Sequence, residues 1–320
     1  MYYIGIDLGG TNIAIGVVGE DYKIVKKGSV PTNADREADE ILEDMANLSL
    51  SLIKDCGLTV DDIAYAGIST PGTADCDNGV VVYANNLPFR AYPIADKLSA
   101  MTGIKKVLIA NDANAAAKAE AVAGAARGTK NSVMITLGTG VGGGIVNDGV
   151  VYTGFNFAGA ELGHIVIEKN GRPCSCGRRG CWEAYSSATG LINMTKEKIE
   201  ECRKAGVETK MDGMVGGDLA NVSGRTAFNA MRDGDAAGAA VVDDYIDYLA
   251  CGLTAILRIF QPEVLSIGGG ISNEKDNLLI PLKKRMAEMM PLPDGVKATE
   301  IKIAELGNDA GIVGAATLGM

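Results

Sequence analysis

The chain has 320 residues, 47% of them hydrophobic and 22% charged, which gives a globular protein with enough length for two domains, each with a full core, and excludes a disordered chain. Its net charge of −10 works against a nucleic-acid partner, which calls for a basic face, and no Lys/Arg block stands out for a membrane surface.

The N-terminus, MYYIGIDLGG, has no basic region and meets glycines too soon for a signal peptide, so no export is expected. Residues 2–30 read as a meander of β-branched strands, and Asp7 ends the first strand beside the turn Gly9-Gly10-Thr11. Two readings of that turn stand together: a phosphate loop whose backbone N–H groups face an anion, or a tight hairpin with a solvated Asp. Residues 34–54 carry helical periodicity, residues 63–69 form a short strand ending in Thr70-Pro71-Gly72, and strand-like residues 79–89 precede a short helix over 92–101. The strand at 107–110 then delivers Asn111, Asp112 and Asn114 into an Ala-rich helix, the kind of junction where reactive side chains gather in open α/β sheets. Asp112 there is either a helix N-cap or a base, since a carboxylate near phosphates helps only if it has a proton to take.

A second glycine turn lies in NSVMITLGTGVGGGIVNDG. Its Gly138-x-Gly140-x-x-Gly143 spacing matches the dinucleotide fingerprint, but a hairpin follows where that fingerprint needs a helix. The better match is internal: both turns are hairpins with a Thr among glycines, which points to two related lobes. A third run, Gly268, Gly269 and Gly270, follows another strand and precedes a helix over 273–289. Helices are expected at 190–202, 225–231 and 236–260, a strand at 301–305 and a last helix from Gly311, while the Gly-rich stretch 210–220 carries no readable pattern. The run 239–260 is interrupted by Asp243, Asp244 and Asp247 and reads as a buried amphipathic helix, not a membrane span.

The only histidine, His164, precedes Cys174, Cys176 and Cys181 in ELGHIVIEKNGRPCSCGRRGCWE. One imidazole and three thiolates fill the four tetrahedral positions of a closed zinc site, and Gly177 and Gly180 let the backbone turn around the ion. Buried small hydrophobes or a disulfide are the alternatives, and neither accounts for the sole His just upstream. Four protein ligands leave no place for a catalytic water, so the expected role is structural. The odd total of seven cysteines suits a reducing cytoplasm.

DLGGTNIAIG, NDANAAA, TLGTGVGGGI, GAELGHI, CSCGRRGCWE and the IGGG run together resemble the ROK family of sugar kinases, most like its bacterial glucokinases, over nearly the whole chain. The resemblance implies an actin-like (ribonuclease H-like) α/β fold with two lobes around a nucleotide and sugar cleft. The small lobe would be residues 1–112, joined by the C-terminal helix at about 306–320; the large lobe would be 113–305, with the zinc knuckle at 164–181. Phosphate loops are implied at Asp7, Gly9, Gly10, Thr11 and Asn12 and at Gly138, Thr139 and Gly140, with Gly268, Gly269 and Gly270 near the adenosine. Asp112 would be the general base, Asn86, Asn111, Asp112, Glu161, His164 and Glu183 the sugar contacts, and His164, Cys174, Cys176 and Cys181 the zinc ligands. Asn12 stands where the family usually has Lys, which removes one positive charge near the nucleotide.

The implied reaction is ATP-dependent phosphorylation of glucose at the 6-hydroxyl, with Mg2+ as cofactor and a structural zinc, in a cytoplasmic homodimer. N-acetylmannosamine, N-acetylglucosamine, mannose or fructose is the alternative substrate. A sugar-sensing regulator is the rival of another class, disfavoured because the first strand begins at Tyr2 and leaves no room for a DNA-binding module ahead of it.

Overall fold

The alternating β-branched N-terminus folds as the hairpins its glycines permit. In the computed structural model, which describes residues 1–319, β1 (Tyr2–Leu8) pairs antiparallel with β2 (Asn12–Gly19), and β2 with β3 (Ile24–Pro31). The helix α1 (Ala38–Asp55) buries Ile41, Leu42, Met45, Leu52 and Ile53 and carries the chain over to β4 (Ile63–Thr70), which runs parallel to β1 with Ser69 opposite Asp7. Parallel pairing needs such a crossover, and an amphipathic helix supplies it while covering the sheet.

A small meander of β5 (Thr73–Asp75), β6 (Val80–Tyr83) and β7 (Arg90–Tyr92) follows, then α2 (Ile94–Thr102) and β8 (Val107–Asn111), parallel to β4. The first sheet therefore has the order β3-β2-β1-β4-β8. From β8 the chain enters α3 (Asp112–Val122) directly.

The second sheet repeats the plan. It is built of β9 (Ser132–Leu137), β10 (Val141–Asn147), β11 (Val150–Val151), β12 (Val264–Gly268) and β13 (Glu300–Ile303), in the order β11-β10-β9-β12-β13. Again a hairpin flanks parallel strands, as the likeness of the two glycine turns anticipates. Between β11 and β12 come α4 (Glu183–Ser186), α5 (Ala188–Ala205), α6 (Lys210–Met214), α7 (Thr226–Arg232) and α8 (Ala236–Phe260), and between β12 and β13 lies α9 (Asp276–Met289). The stretch 210–220, unreadable as sequence, is thus a single turn of helix with a 3-10 turn after it. Among the described residues no helix is long and apolar enough to cross a membrane.

The last helix, α10 (Ala310–Ala316), lies on the first sheet at very close range. A Cβ at Gly5 would sit 2.0 Å from the carbonyl oxygen of Ile312, and one at Gly67 would sit 1.8 Å from that of Ala315. Only glycine permits that approach. On its other side Gly314 meets the Ala115 backbone of α3, where an added Cβ would lie 2.1 Å from the carbonyl oxygen.

Two compact units result: residues 1–134, 144–160 and from Glu305 on form the first, and 135–143 with 161–304 form the second. The expected lobes divide at 112 instead, with 113–305 in the large one. The difference has a packing cause: α3 is held in the first unit by α10, and Gly144 of β10 abuts Ala113 and Ala117 of α3.

Candidate functional site

In the first unit the turn after β1 is closed by its own backbone and by one threonine. The Gly9 N–H donates to the Asn12 carbonyl at 3.0 Å, and Thr32 N–H and Thr32 Oγ1 donate to the carbonyls of Thr11 and Gly9 at 2.8 and 2.6 Å. Thr32 is fully buried, whereas Gly10, Thr11 and Asn12 are exposed. Asn86 comes beside this turn, its Cβ 3.8 Å from where a Cβ of Gly10 would be. Asp7 accepts a hydrogen bond from Ser69 Oγ at 2.9 Å, and burial raises its pKa above the ordinary carboxylate value against the lowering effect of that bond. Its carboxyl group faces the first turn of α10, since a Cβ on Gly311 would lie 2.3 Å from the Asp7 Cγ.

Asn111, not Asp112, caps α3. Its Oδ1 accepts from the N–H groups of Ala113 and Asn114 at 3.0 and 3.2 Å, and its Nδ2 donates to the Gly72 carbonyl at 3.0 Å. The capping duty at this helix start therefore falls on Asn111. Asp112 is exposed at the start of α3, where Oδ1 accepts from the N–H of Ala113 at 2.8 Å.

In the second unit the Gly138-Thr139-Gly140 turn leans on α5. The Gly138 carbonyl accepts from Ala188 N–H at 2.8 Å, the Thr139 carbonyl accepts from Thr189 Oγ1 at 2.7 Å, and Gly138 N–H closes the turn on the Gly140 carbonyl at 3.0 Å. The third glycine run lies against the same strand end: Gly269 adopts φ 84°, and an added Cβ would come within 2.5 Å of the Leu137 carbonyl oxygen. Gly268, Gly269, Gly270 and the second turn are therefore one assembly.

Glu183 joins that turn to the cysteine knuckle. Its Oε2 accepts from Val141 N–H and its Oε1 from Ser175 Oγ, both at 3.0 Å. The residue before it, Trp182, anchors it. The indole is fully buried, donates to the Tyr248 carbonyl at 3.0 Å and presses on Gly252 of α8, where an added Cβ would lie 2.2 Å from the ring. Thr139, Gly140, Cys174, Ser175, Glu183 and Thr189 share a cavity of about 500 Å³. Glu161 is exposed and precedes the 3-10 turn Leu162–His164; the His164 N–H donates to its carbonyl at 3.0 Å.

His164 Nδ1 lies 3.7 Å from Cys174 Sγ, Cys176 Sγ lies 3.6 Å from Cys181 Sγ, and the four ligand atoms are all within 4.8 Å of one another. Tetrahedral zinc at ordinary bond lengths separates its sulfurs by ~3.8 Å, so the donor set fits such an ion. A disulfide requires ~2.05 Å, and all seven cysteines are free, which removes that alternative. The tight turn needs Gly180, at φ 77° and with a Cβ position 1.7 Å from the Glu168 carbonyl oxygen. The Arg178 backbone N–H, then its guanidinium, draws the Cys176 thiol down to about 6, while burial pushes Cys181 up to about 12. Arg172 braces the knuckle from outside with paired bonds to Glu197 of α5 at 2.9 and 2.5 Å.

The expected site residues thus form two groups. Asp7, Gly9 to Asn12, Asn86, Asn111 and Asp112 belong to the first unit; Gly138 to Gly140, Glu161, His164, the cysteines, Glu183 and Gly268 to Gly270 belong to the second. Sequence reasoning passed over Thr32, Ser69, Ser175 and Thr189, whose hydroxyls act through bonds to turns and carboxylates and leave no periodic signal.

The sequence model of the ROK family matches residues 3–320. A glucokinase of Thermotoga maritima is 37% identical over 316 residues, 98% of this chain and 96% of that protein. A ROK family glucokinase from Streptomyces griseus, solved in complex with glucose and AMPPNP, superposes with a TM-score of 0.79 at 32% identity, covering 99% of each chain. A ROK hexokinase from Thermus thermophilus superposes with a TM-score of 0.80 at 30% identity, over 99% of this chain and 97% of that one.

Proposed function

From a chain that belongs to the ROK family and has the actin-like fold of its sugar kinases, we propose a glucokinase that transfers the γ-phosphoryl group of ATP to the 6-hydroxyl of glucose. The observation that carries the reading is the full-length likeness to glucokinases joined to the place of Asp112: an exposed carboxylate at the first position of α3, next to the capping Asn111.

Asp112 accepts the proton of the sugar 6-hydroxyl as that oxygen bonds to the γ-phosphorus, while the bond from phosphorus to the β-γ bridging oxygen breaks and ADP leaves. Asn86, Asn111, Glu161, His164 and Glu183 supply amide, imidazole and carboxylate partners for the remaining hydroxyls, because a neutral hexose is recognised by paired hydrogen bonds. Asn111 Nδ2 spends one hydrogen on Gly72 and keeps the other for a ligand. The two glycine turns, Gly9 to Asn12 and Gly138 to Gly140, offer backbone N–H groups to the phosphates, and Gly268 to Gly270 flank the adenosine.

Mg2+ when bound neutralises phosphate charge, and Asp7 would hold it; a desolvated carboxylate with no salt-bridge partner among the described residues suits a divalent cation. Zn2+ would be held by His164 Nδ1 and the sulfurs of Cys174, Cys176 and Cys181, where it makes the knuckle rigid. With Nδ1 turned toward Cys174, His164 keeps Nε2 for a sugar hydroxyl. The reading includes a cytoplasmic setting, supported by seven free thiols, and a homodimer, for which the exposed Ile259 of α8 and Ile280 of α9 offer apolar surface.

An ATP-coupled assay over a panel of hexoses tests the proposal, with glucose expected to be the best substrate. No turnover with any sugar would sink it. Asp112→Ala is expected to lower kcat by roughly 10³-fold with sugar binding still measurable; turnover near wild type would remove Asp112 as base.

A further inference from the structure

A glycine turn that faces phosphates has a difficulty built into it: every peptide carries a carbonyl dipole as well as an N–H, and a carbonyl aimed at the anion repels it. Both turns meet the difficulty in the same way. In the first, the carbonyls of Gly9, Thr11 and Asn12 are taken by Thr32 Oγ1, Thr32 N–H and Gly9 N–H at 2.6, 2.8 and 3.0 Å. In the second, the carbonyls of Gly138, Thr139 and Gly140 are taken by Ala188 N–H, Thr189 Oγ1 and Gly138 N–H at 2.8, 2.7 and 3.0 Å. Three carbonyls, one threonine hydroxyl and one internal N–H recur in each.

The two threonines come from unlike places. Thr32 follows β3 and is fully buried, whereas Thr189 is exposed in the first turn of α5, a helix capped by Ser187. They occupy no equivalent place in the two glycine segments, so a shared segment plan does not account for the shared bond. A hydroxyl is well suited to the task, because it donates along whatever direction the carbonyl presents and rotates to do so.

We propose that Thr32 and Thr189 are positioning residues for the phosphoryl donor, each turning one carbonyl of a glycine turn away from the phosphates so that the N–H groups the turn does not use internally are left to meet them. The inference rests on the kinase reading and adds to it the two side chains that orient the turns. Neither threonine is placed in contact with sugar, so loss of either hydroxyl weakens nucleotide binding and spares the sugar.

Thr189→Val removes the hydroxyl at nearly constant shape, and because the side chain is exposed the variant is expected to fold. Its KM for ATP is expected to rise about tenfold with kcat kept, the loss of one well-placed hydrogen bond expressed as binding. The KM for glucose is expected to stay within about twofold, since the Thr189 hydroxyl bonds the Thr139 carbonyl and no residue assigned to the sugar. Thr189→Ser, which restores the donor, is expected to return the ATP value toward wild type, and titration with a fluorescent ATP analogue gives the same order without turnover. Thr32→Val is expected to follow Thr189→Val in KM for ATP, with a lower melting temperature because its site is buried.

A Thr189→Val protein that binds nucleotide as wild type does, or one whose sugar and ATP constants rise together, would overturn the inference. Failure of Thr189→Ser to restore binding would do so as well. A wild-type protein that neither binds the analogue nor phosphorylates any hexose overturns the kinase reading itself, and that outcome is visible before any variant is made.

Discussion

Glu120, in the last turn of α3, is 1% exposed and serves three backbone donors. Its Oε2 accepts from Ala125 N–H at 2.7 Å and from Glu305 N–H at 3.1 Å, and its Oε1 accepts from Leu306 N–H at 2.9 Å. The carboxylate thereby ties the end of α3 both to the loop that follows and to the segment where the chain re-enters the first unit. Gly124 makes room for it, since a Cβ there would lie 2.1 Å from Oε2. Replacing Glu120 by Ala leaves the buried Ala125 N–H without its acceptor, at about 1–3 kcal/mol, and removes two further bonds to a charged group that water replaces in part. The sum is about 4 kcal/mol. Glutamine retains an oxygen for Ala125 and Glu305 but sets an amide N–H2 against Leu306 N–H, for about 1–2 kcal/mol. Urea unfolding followed by circular dichroism is expected to rank wild type above Glu120→Gln and Glu120→Gln above Glu120→Ala. An alanine variant within about 1 kcal/mol of wild type, or a glutamine variant as unstable as alanine, would refute the reasoning.

Asp7 gives a pH prediction. Burial raises its folded pKa, so it binds a proton more readily in the folded than in the unfolded chain, and the stability it costs grows as pH rises from the unfolded value of 3.8 through the raised one. Asp7→Asn is therefore expected to be more stable than wild type at pH 7, with the gap closing below 3.8, and to lose the stabilisation that Mg-ATP gives wild type; equal stability of the two proteins across that range would count against the burial effect. Metal analysis is expected to find one zinc per chain, bound at His164, Cys174, Cys176 and Cys181. Cys181→Ser or chelation is expected to empty the site and raise the sugar KM with the ATP KM little changed. A fully active metal-free protein would refute the organising role assigned to the ion.

Much of the fold was legible because its signals are local. β-branched runs broken by glycine gave the hairpins of both sheets, and the helix over residues 236–260 was legible because its apolar stripe is long. The knuckle was legible for the same reason: His164 and its three cysteines lie within one short stretch, so chain geometry alone brings them near one another. Residues 210–220 gave no signal, since α6 is one turn long and its helical period never repeats.

The contacts that orient the site were set by partners distant in the chain. Whether Asn111 or Asp112 caps α3 depended on the Gly72 carbonyl, 39 residues back, which fixes the Asn111 amide. The place of α3 in the first unit depended on Gly314, where α10 comes too close for any side chain. Thr189 reaches Thr139 across 50 residues and Glu120 reaches Glu305 across 185. A lone hydroxyl or carboxylate has no period to betray its partner. The sequence by itself determined the elements, the cluster of His164 with three cysteines and the family, because these reside in spacing and composition; only the tertiary structure decided which carbonyls and carboxylates are held and by what, because a hydrogen bond is set by where two groups meet.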